Sequence, residues 1–89
     1  MEVKGKLDNG FSYTVDNSVL DDMEMVDALA DAMSTNPLAI SMVVKKLLGD
    51  DQRKALYDTV RREDGTVPVE EVTNSVVAIF EQMGDQGKN

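Results

Sequence analysis

The residues around Gly65 come closest to a metal-binding spacing in this chain. If Gly65 takes the sixth position of a twelve-residue calcium loop, Glu71 falls at the twelfth position and Val67 at the eighth, as such a loop requires. The first and third positions, however, become Val60 and Arg62, where the ion needs carboxylate oxygens. The spacing therefore indicates two helices joined by a short turn, and it predicts no metal site.

The carboxylates and hydroxyls do not form a recognisable catalytic set. Seventeen Asp and Glu residues offer many pairs, but acid–base catalysis needs two groups in opposed environments, and the sequence marks out no such pair. The chain has no His and no Cys, so Ser18 and Ser41 have no companion that would activate them. No glycine-rich phosphate loop is present. We therefore predict a protein that is not an enzyme and needs no cofactor.

Composition narrows the choice of partners. A chain of 89 residues forms one domain with a marginal core, and its 9 basic and 17 acidic residues give a net charge of −8. This charge disfavours nucleic acid and anionic membranes, whose binding depends on Lys and Arg, and it favours basic partners. The N-terminus lacks a secretory signal, and the longest apolar-rich run, 37–44, is too short to span a bilayer. We expect a cytoplasmic protein.

Residues 2–16 are predicted to form a β-hairpin. Phe11, Tyr13 and Val15 alternate with polar residues after Asn9-Gly10, a dipeptide preferred in tight hairpin turns. Because an isolated hairpin is barely stable in water, its apolar face must pack against helices or pair with another chain.

A first helix is predicted from a cap at Ser18 to about Met33. Its apolar stripe, with Leu29 at the edge, consists of Val19, Met23, Val26, Ala30 and Met33, and Met23 and Met33 are each expected in the core. The other side is acidic and is either a solvated face or a docking face for basic groups: Asp21, Asp22, Glu24, Asp27 and Asp31.

A second helix, 38–48, is predicted to follow a start signal at Asn36-Pro37. It is apolar on nearly every face until Lys45 and Lys46. Such a helix is either the central helix of its own domain or is covered by a partner.

Two further helices complete the predicted fold. Gly49 fits the end of the second helix, Asp50 or Asp51 caps a third with Leu56 inward, and a fourth begins near Val69. The fold class is thus a small α+β domain, mainly α, with an N-terminal hairpin and about four short helices. We predict a single domain over 1–84, with the hairpin in 1–17, helices in 18–84, and a flexible tail in 85–89.

The C-terminal half of the chain resembles the small tail assembly chaperones of long-tailed, siphovirus-type bacteriophages. The resemblance is carried by LLGDDQ (47–52), the helix around Leu56, EDG (63–65) followed by VPVE (67–70), and IFE (79–81). The N-terminal half is similar only in its layout. No active site is carried over from this family.

The resemblance implies a protein that acts in the cytoplasm of the infected cell and is absent from the mature virion. It implies that the chain binds the tape measure protein, helps recruit tail tube subunits and forms a homo-oligomer. The net charge would keep such a complex soluble. From the apolar second helix, we predict that the partner-binding residues are Leu38, Ile40, Met42 and Val43.

The sequence is also compatible with two other functions. An acidic inhibitory or regulatory protein, such as a nucleic-acid mimic, would use the acidic first helix to bind a basic partner. A degenerate EF-hand-like adaptor would depend on the geometry of the Asp64-Gly65 turn and not on a metal.

Overall fold

A two-stranded hairpin followed by three helices forms a small α+β fold. The structure is a computed structural model that describes residues 1–34 and 36–86. The hairpin consists of β1 (Glu2–Lys6) and β2 (Ser12–Asp16), and the helices are α1 (Met23–Met33), α2 (Ile40–Val60) and α3 (Val69–Gln86). Two short 3-10 turns, Asn17–Asp21 and Pro37–Ala39, precede α1 and α2.

The predicted hairpin is confirmed. The strands pair antiparallel with Val3 opposite Val15 and Gly5 opposite Tyr13. The turn closes where the Gly10 amide donates to the Leu7 carbonyl at 2.9 Å, and Gly10 has a φ of 95°, which suits glycine. As the alternation predicts, one face of the hairpin is buried; Leu7, Phe11, Tyr13 and Val15 lie there.

The start and the buried face of the first helix were predicted wrongly. Ser18 is not a helix cap; its amide donates to Asp16 at the start of a 3-10 turn, and the cap of α1 is Asp22, whose carboxylate accepts from the amides of Glu24 and Met25. The side chains that face inward are Met25, Ala28 and Ala32, with Leu29 half-buried. The predicted stripe lies largely in solvent.

The predicted second and third helices both lie within α2, as two helical segments on either side of a kink. Gly49 has non-helical angles, a φ of 75° and a ψ of 179°, so the first segment is interrupted there as predicted, and Asp50 and Asp51 follow at the start of the second segment. At the N-terminal end, Asn36 makes no side-chain capping bond, and 37–39 form a 3-10 turn before α2 begins at Ile40. With α2 counted as one element across this kink, the described residues form three helices, against about four predicted.

The core lies between the hairpin and the three helices. Most of the buried side chains of α2 come from its first half. The helix α3 begins at Val69, as predicted. The completely buried side chains are Met25, Val43, Val44, Leu56, Val76 and Ile79.

Hydrogen bonds between side chains hold the hairpin on α3. Tyr13 donates from its hydroxyl to Gln82 at 2.8 Å, and the Asn9 amide donates to Ser75 Oγ at 3.1 Å. Burial raises the pKa of the Tyr13 hydroxyl, which therefore stays protonated and can donate. These bonds place the hairpin turn and the middle of α3 side by side.

The C-terminal helix extends into the segment that was predicted as a tail. α3 continues to Gln86, and the rest of the predicted tail, 87–89, lies outside the described residues. Within the described part of the chain, none of the helices has the length and apolar character that crossing a membrane requires.

Candidate interaction surface

One side of α1 exposes a row of apolar side chains. The exposed fractions are 67% for Met23, 44% for Val26 and 60% for Met33. These residues and Ala30 recur at intervals of three and four, so they lie on one side of the helix, which we call the outer face. The helix α1 is therefore apolar on two sides. One side packs in the core, and the other is exposed.

Acidic side chains border the outer face. Glu24, Asp27 and Asp31 occupy the arc of α1 between the outer face and the buried side. They are all exposed. From Asp16 to Ser34 the chain has six acidic residues and no basic one. A helix with an apolar row beside carboxylates is suited to bind an amphipathic segment that has cations at its margin.

An ion pair fixes the beginning of α1 against α2. Lys46 Nζ lies 3.3 Å from Asp22 Oδ2, while Asp22 Oδ1 accepts from the amides of Glu24 and Met25. Burial alone would raise the pKa of Asp22, but the hydrogen bond and charge of Lys46 and the two amide bonds outweigh it and lower the pKa. The carboxylate thus caps α1 and joins it to α2.

The predicted partner-binding residues divide into three environments. Val43 is completely buried and belongs to the core, so its side chain is not accessible to a partner. Ile40 is 8% exposed and lines a groove together with Leu38, which is 83% exposed. Met42 is 50% exposed and lies one turn before Lys46, which places it on the side of α2 nearest α1.

The groove lies where the start of α2, the end of α2 and the start of α3 meet. It has a volume of about 310 Å³ and an almost entirely apolar lining: Leu38, Ile40, Ser41, Tyr57, Val67, Val69 and Val72. Only the side chains of Ser41 and Tyr57 bring polar atoms to it. Such a lining suits apolar side chains of a partner and offers few groups for chemistry.

A second recess, more polar, lies between the hairpin turn and α3. Its volume is about 210 Å³, and Asp8, Asn9, Glu71 and Ser75 are among its lining residues. Ser75 is buried, accepts from Asn9 and donates to the Glu71 carbonyl at 2.8 Å. The polar groups of Asn9 and Ser75 are thus engaged in hydrogen bonds that hold the hairpin on α3.

The turn that resembles a calcium loop is closed by its own hydrogen bonds. Asp64 Oδ1 accepts from the Thr66 hydroxyl at 2.7 Å and from the Thr66 amide at 2.9 Å, and these bonds lower the pKa of Asp64. Arg62 donates from its backbone amide to the Thr66 carbonyl at 2.8 Å. Within residues 1–34 and 36–86, no group of three or more His, Cys, Asp or Glu side chains is arranged to hold a metal ion.

The chain was compared with models of protein families, with curated proteins and with solved structures, and nothing in the three comparisons matches it.

The outer face of α1 was missed because two apolar sets recur at helical spacing in the same segment. The side chains of Met23, Val26 and Met33 are larger than those of Ala28 and Ala32. The larger apolar set was therefore the more obvious candidate for the buried side of the helix. The available signal was Asp22, which is a good cap residue directly before Met23. A helix that starts there has only 11 residues, and its small alanines permit close packing against α2.

Proposed function

We propose that this protein is a non-catalytic chaperone that covers the apolar stripe of a helical partner with the outer face of α1. The observation that carries the proposal is the row of Met23, Val26 and Met33, between 44% and 67% exposed. Two of the three are methionines, whose flexible thioether side chains adapt to different apolar partners.

The proposed partner is the tape measure protein of a long-tailed bacteriophage, and the proposed role is to keep it soluble and to help recruit tail tube subunits during assembly in the host cytoplasm. The partner follows from the resemblance of the C-terminal half to tail assembly chaperones, which also implies a homo-oligomer. The acidic border of α1 supports a partner whose apolar stripe is flanked by Lys or Arg.

The proposal is tested by co-expressing the chain with the tape measure protein of the same phage genome. We expect a soluble complex with the wild-type chain. Burying a methionine contributes about 1.5–3 kcal/mol, so Met23→Asp is expected to weaken binding roughly tenfold or more. Aspartate is favourable at the first residue of a helix, so the substitution leaves α1 folded.

Two control variants separate the possible binding surfaces. Ser12→Asp adds the same charge on an exposed position of β2 and is expected to leave the complex unchanged. Leu38→Asp alters the groove; if it abolished the complex while Met23→Asp did not, the binding site would be the groove and the proposal for α1 would be wrong. A tape measure protein that stays insoluble with the wild-type chain would reject the partner.

An acidic mimic that blocks a basic partner is the second candidate, favoured by the six acidic residues and absence of basic ones in 16–34. The two functions respond differently to salt. Binding through carboxylates weakens steeply as ionic strength rises, whereas binding through buried methionines weakens little. A complex that dissociates in moderate salt and ignores Met23→Asp would favour the mimic.

A further inference from the structure

The six methionines of the chain fall into two groups by exposure. Four are at least half exposed: Met1 at 85%, Met23 at 67%, Met33 at 60% and Met42 at 50%. The other two, Met25 and Met83, are 0% and 2% exposed. Because the chain has no cysteine, the methionine thioethers are its only sulfur atoms and the groups that a peroxide attacks most readily.

Both exposed methionines of α1 lie on its outer face, at opposite ends of the helix. Met23 is the first residue of α1 and Met33 is the last, so their positions are about 15 Å apart along the axis. Met25 is only two residues from Met23, but it points to the opposite side of the helix, into the core. The same helix therefore carries accessible and protected methionines.

Hydrogen peroxide oxidises an accessible methionine in one two-electron step. The sulfur lone pair attacks one peroxide oxygen, a sulfur–oxygen bond forms, and the oxygen–oxygen bond breaks. The departing hydroxide takes the proton of the newly bound oxygen, so the products are methionine sulfoxide and water. Reductases that use thiols reverse the change: two thiols are oxidised to a disulfide, and the sulfoxide oxygen leaves as water.

We propose that Met23 and Met33 form a reversible oxidation site that controls the apolar character of the outer face. A sulfoxide is a polar hydrogen-bond acceptor, so burying it without a donor is unfavourable. Once both ends of the row are oxidised, only Val26 and Ala30 remain as apolar side chains between them on this face.

The helix itself offers nothing that would satisfy the new sulfoxide oxygens. The acidic side chains beside the outer face, Glu24, Asp27 and Asp31, are exposed, and ionised carboxylates only accept hydrogen bonds. From Met23 to Met33 the sequence has no side chain that donates a hydrogen bond at neutral pH. The oxidised face therefore depends on water, which a bound apolar partner would exclude.

The consequence for binding rests on the proposed function. If the outer face covers the apolar stripe of a helical partner, the oxidised chain must bury two polar groups against that stripe. We expect the complex to weaken at least about tenfold, and reduction to restore it. Oxidation would thus release the partner without unfolding the chain, because the buried methionines of the core are untouched.

The first part of the test uses the chain alone. The wild type is treated with increasing hydrogen peroxide, and peptide mass spectrometry locates each added oxygen atom. We expect oxygen on Met23 and Met33 while Met25 and Met83 remain unmodified, with circular dichroism unchanged. Methionine sulfoxide reductases of both stereospecificities, supplied with a thiol, should remove the added oxygen.

Hydrophobic-interaction chromatography then measures the change in the surface. The oxidised wild type should be retained less than its own untreated form. The double variant Met23→Leu, Met33→Leu cannot be oxidised on the outer face and should lose most of this shift. Met42→Leu, which removes an exposed methionine outside the outer face, should keep most of it. Each protein is compared with its own untreated form, so the effect of leucine itself cancels. The two single variants replace the double variant if circular dichroism shows that it has lost its fold.

Two results would overturn the inference. They are oxidation of Met25 or Met83 as early as that of Met23 and Met33, and an equal peroxide shift in the double variant and in Met42→Leu. Both are obtained without the proposed partner. A partner that never binds would reject the chaperone function and leave the oxidation site standing, whereas a complex that ignores oxidation of Met23 and Met33 would reject the control of binding.

Discussion

Gln52 forms hydrogen bonds to Thr14 as a neighbouring strand would. Its side-chain oxygen accepts from the Thr14 amide at 2.7 Å, and its side-chain nitrogen donates to the Thr14 carbonyl at 2.8 Å. The same nitrogen donates to the Leu48 carbonyl at 3.0 Å, beside the interruption at Gly49. One side chain thus satisfies the free edge of β2 and the bend of α2 together.

Replacing Gln52 is expected to destabilise the fold although the residue is on a helix surface. Gln52→Ala removes three hydrogen bonds and leaves part-buried backbone groups of Thr14 unpaired, so we expect a loss of about 2–3 kcal/mol in the free energy of unfolding. Urea denaturation measures this loss. Lys54→Ala, at an exposed position of the same helix, is the control, and an equally small effect of both variants would contradict the role of Gln52.

Gly5 is required by the ring of Tyr13, which lies across β1. A Cβ atom at Gly5 would overlap the Tyr13 ring, and Tyr13 cannot move easily because it is 2% exposed and bonded to Gln82. Gly5→Ala is expected to cost about 1–3 kcal/mol, measured by thermal unfolding.

Removal of the ring should relieve that overlap. In the double variant Gly5→Ala, Tyr13→Val, the combined loss of stability is expected to be smaller than the sum of the two single losses. Additive losses would show that Gly5 has a different role.

Position 49 requires glycine because of its backbone conformation and not because of neighbouring atoms. Its φ of 75° and ψ of 179° are essentially restricted to glycine, while a Cβ atom there would meet nothing within 4 Å. We expect Gly49→Ala to lower stability by about 1–3 kcal/mol.

Gly84 is the matched control for Gly49. It lies in α3 with open space around it, so the same substitution should raise stability by up to about 1 kcal/mol. If both alanine variants changed stability in the same direction, the account of the bend in α2 would be wrong.

The ion pair between Asp22 and Lys46 should make stability depend on pH. The pKa of Asp22 is held below 3.8 in the folded protein, so its stabilising effect is present above that pH and is lost as the pH falls through the folded value. Asparagine caps a helix about as well as aspartate but cannot form the ion pair or titrate. The wild type should therefore melt above Asp22→Asn at neutral pH and at the same temperature at strongly acid pH.

The variant Lys46→Gln identifies the partner in this effect. It should lose the same stability as Asp22→Asn at neutral pH, and the double variant should lose little more. A difference between wild type and Asp22→Asn that persists well below pH 3.8 would contradict the linkage.

The sequence allowed the hairpin and the start of α3 to be predicted because local rules decide both. Asn9-Gly10 selects the turn, and the alternation after it selects the buried face, with Phe11 and Tyr13 inside. Pro68 and the acidic pair after it place the start of α3. In these segments each local preference agrees with the tertiary structure.

The buried face of α1 could not be predicted because tertiary contacts decide it. Two apolar sets compete on α1, and close packing of Ala28 and Ala32 selects the smaller one. At Gly49, by contrast, the predicted interruption of the helix is present, and Gln52 satisfies the Leu48 carbonyl beside it. The predicted partner-binding residues included Val43, which is buried, whereas the main exposed apolar row lies on α1.

The methionines provide the most direct measurement of the central claim, that the outer face of α1 is a binding surface. Met23 and Met33 are 67% and 60% exposed, whereas Met25 and Met83 are 0% and 2% exposed, so the four methyl groups report on the surface and on the core separately. With 13C-labelled methionine methyl groups, NMR spectra are recorded as a segment of the proposed partner, the tape measure protein, is added. We predict large shifts or broadening for Met23 and Met33 and little change for Met25 and Met83. Unchanged signals from Met23 and Met33 in a complex that demonstrably forms would contradict the claim.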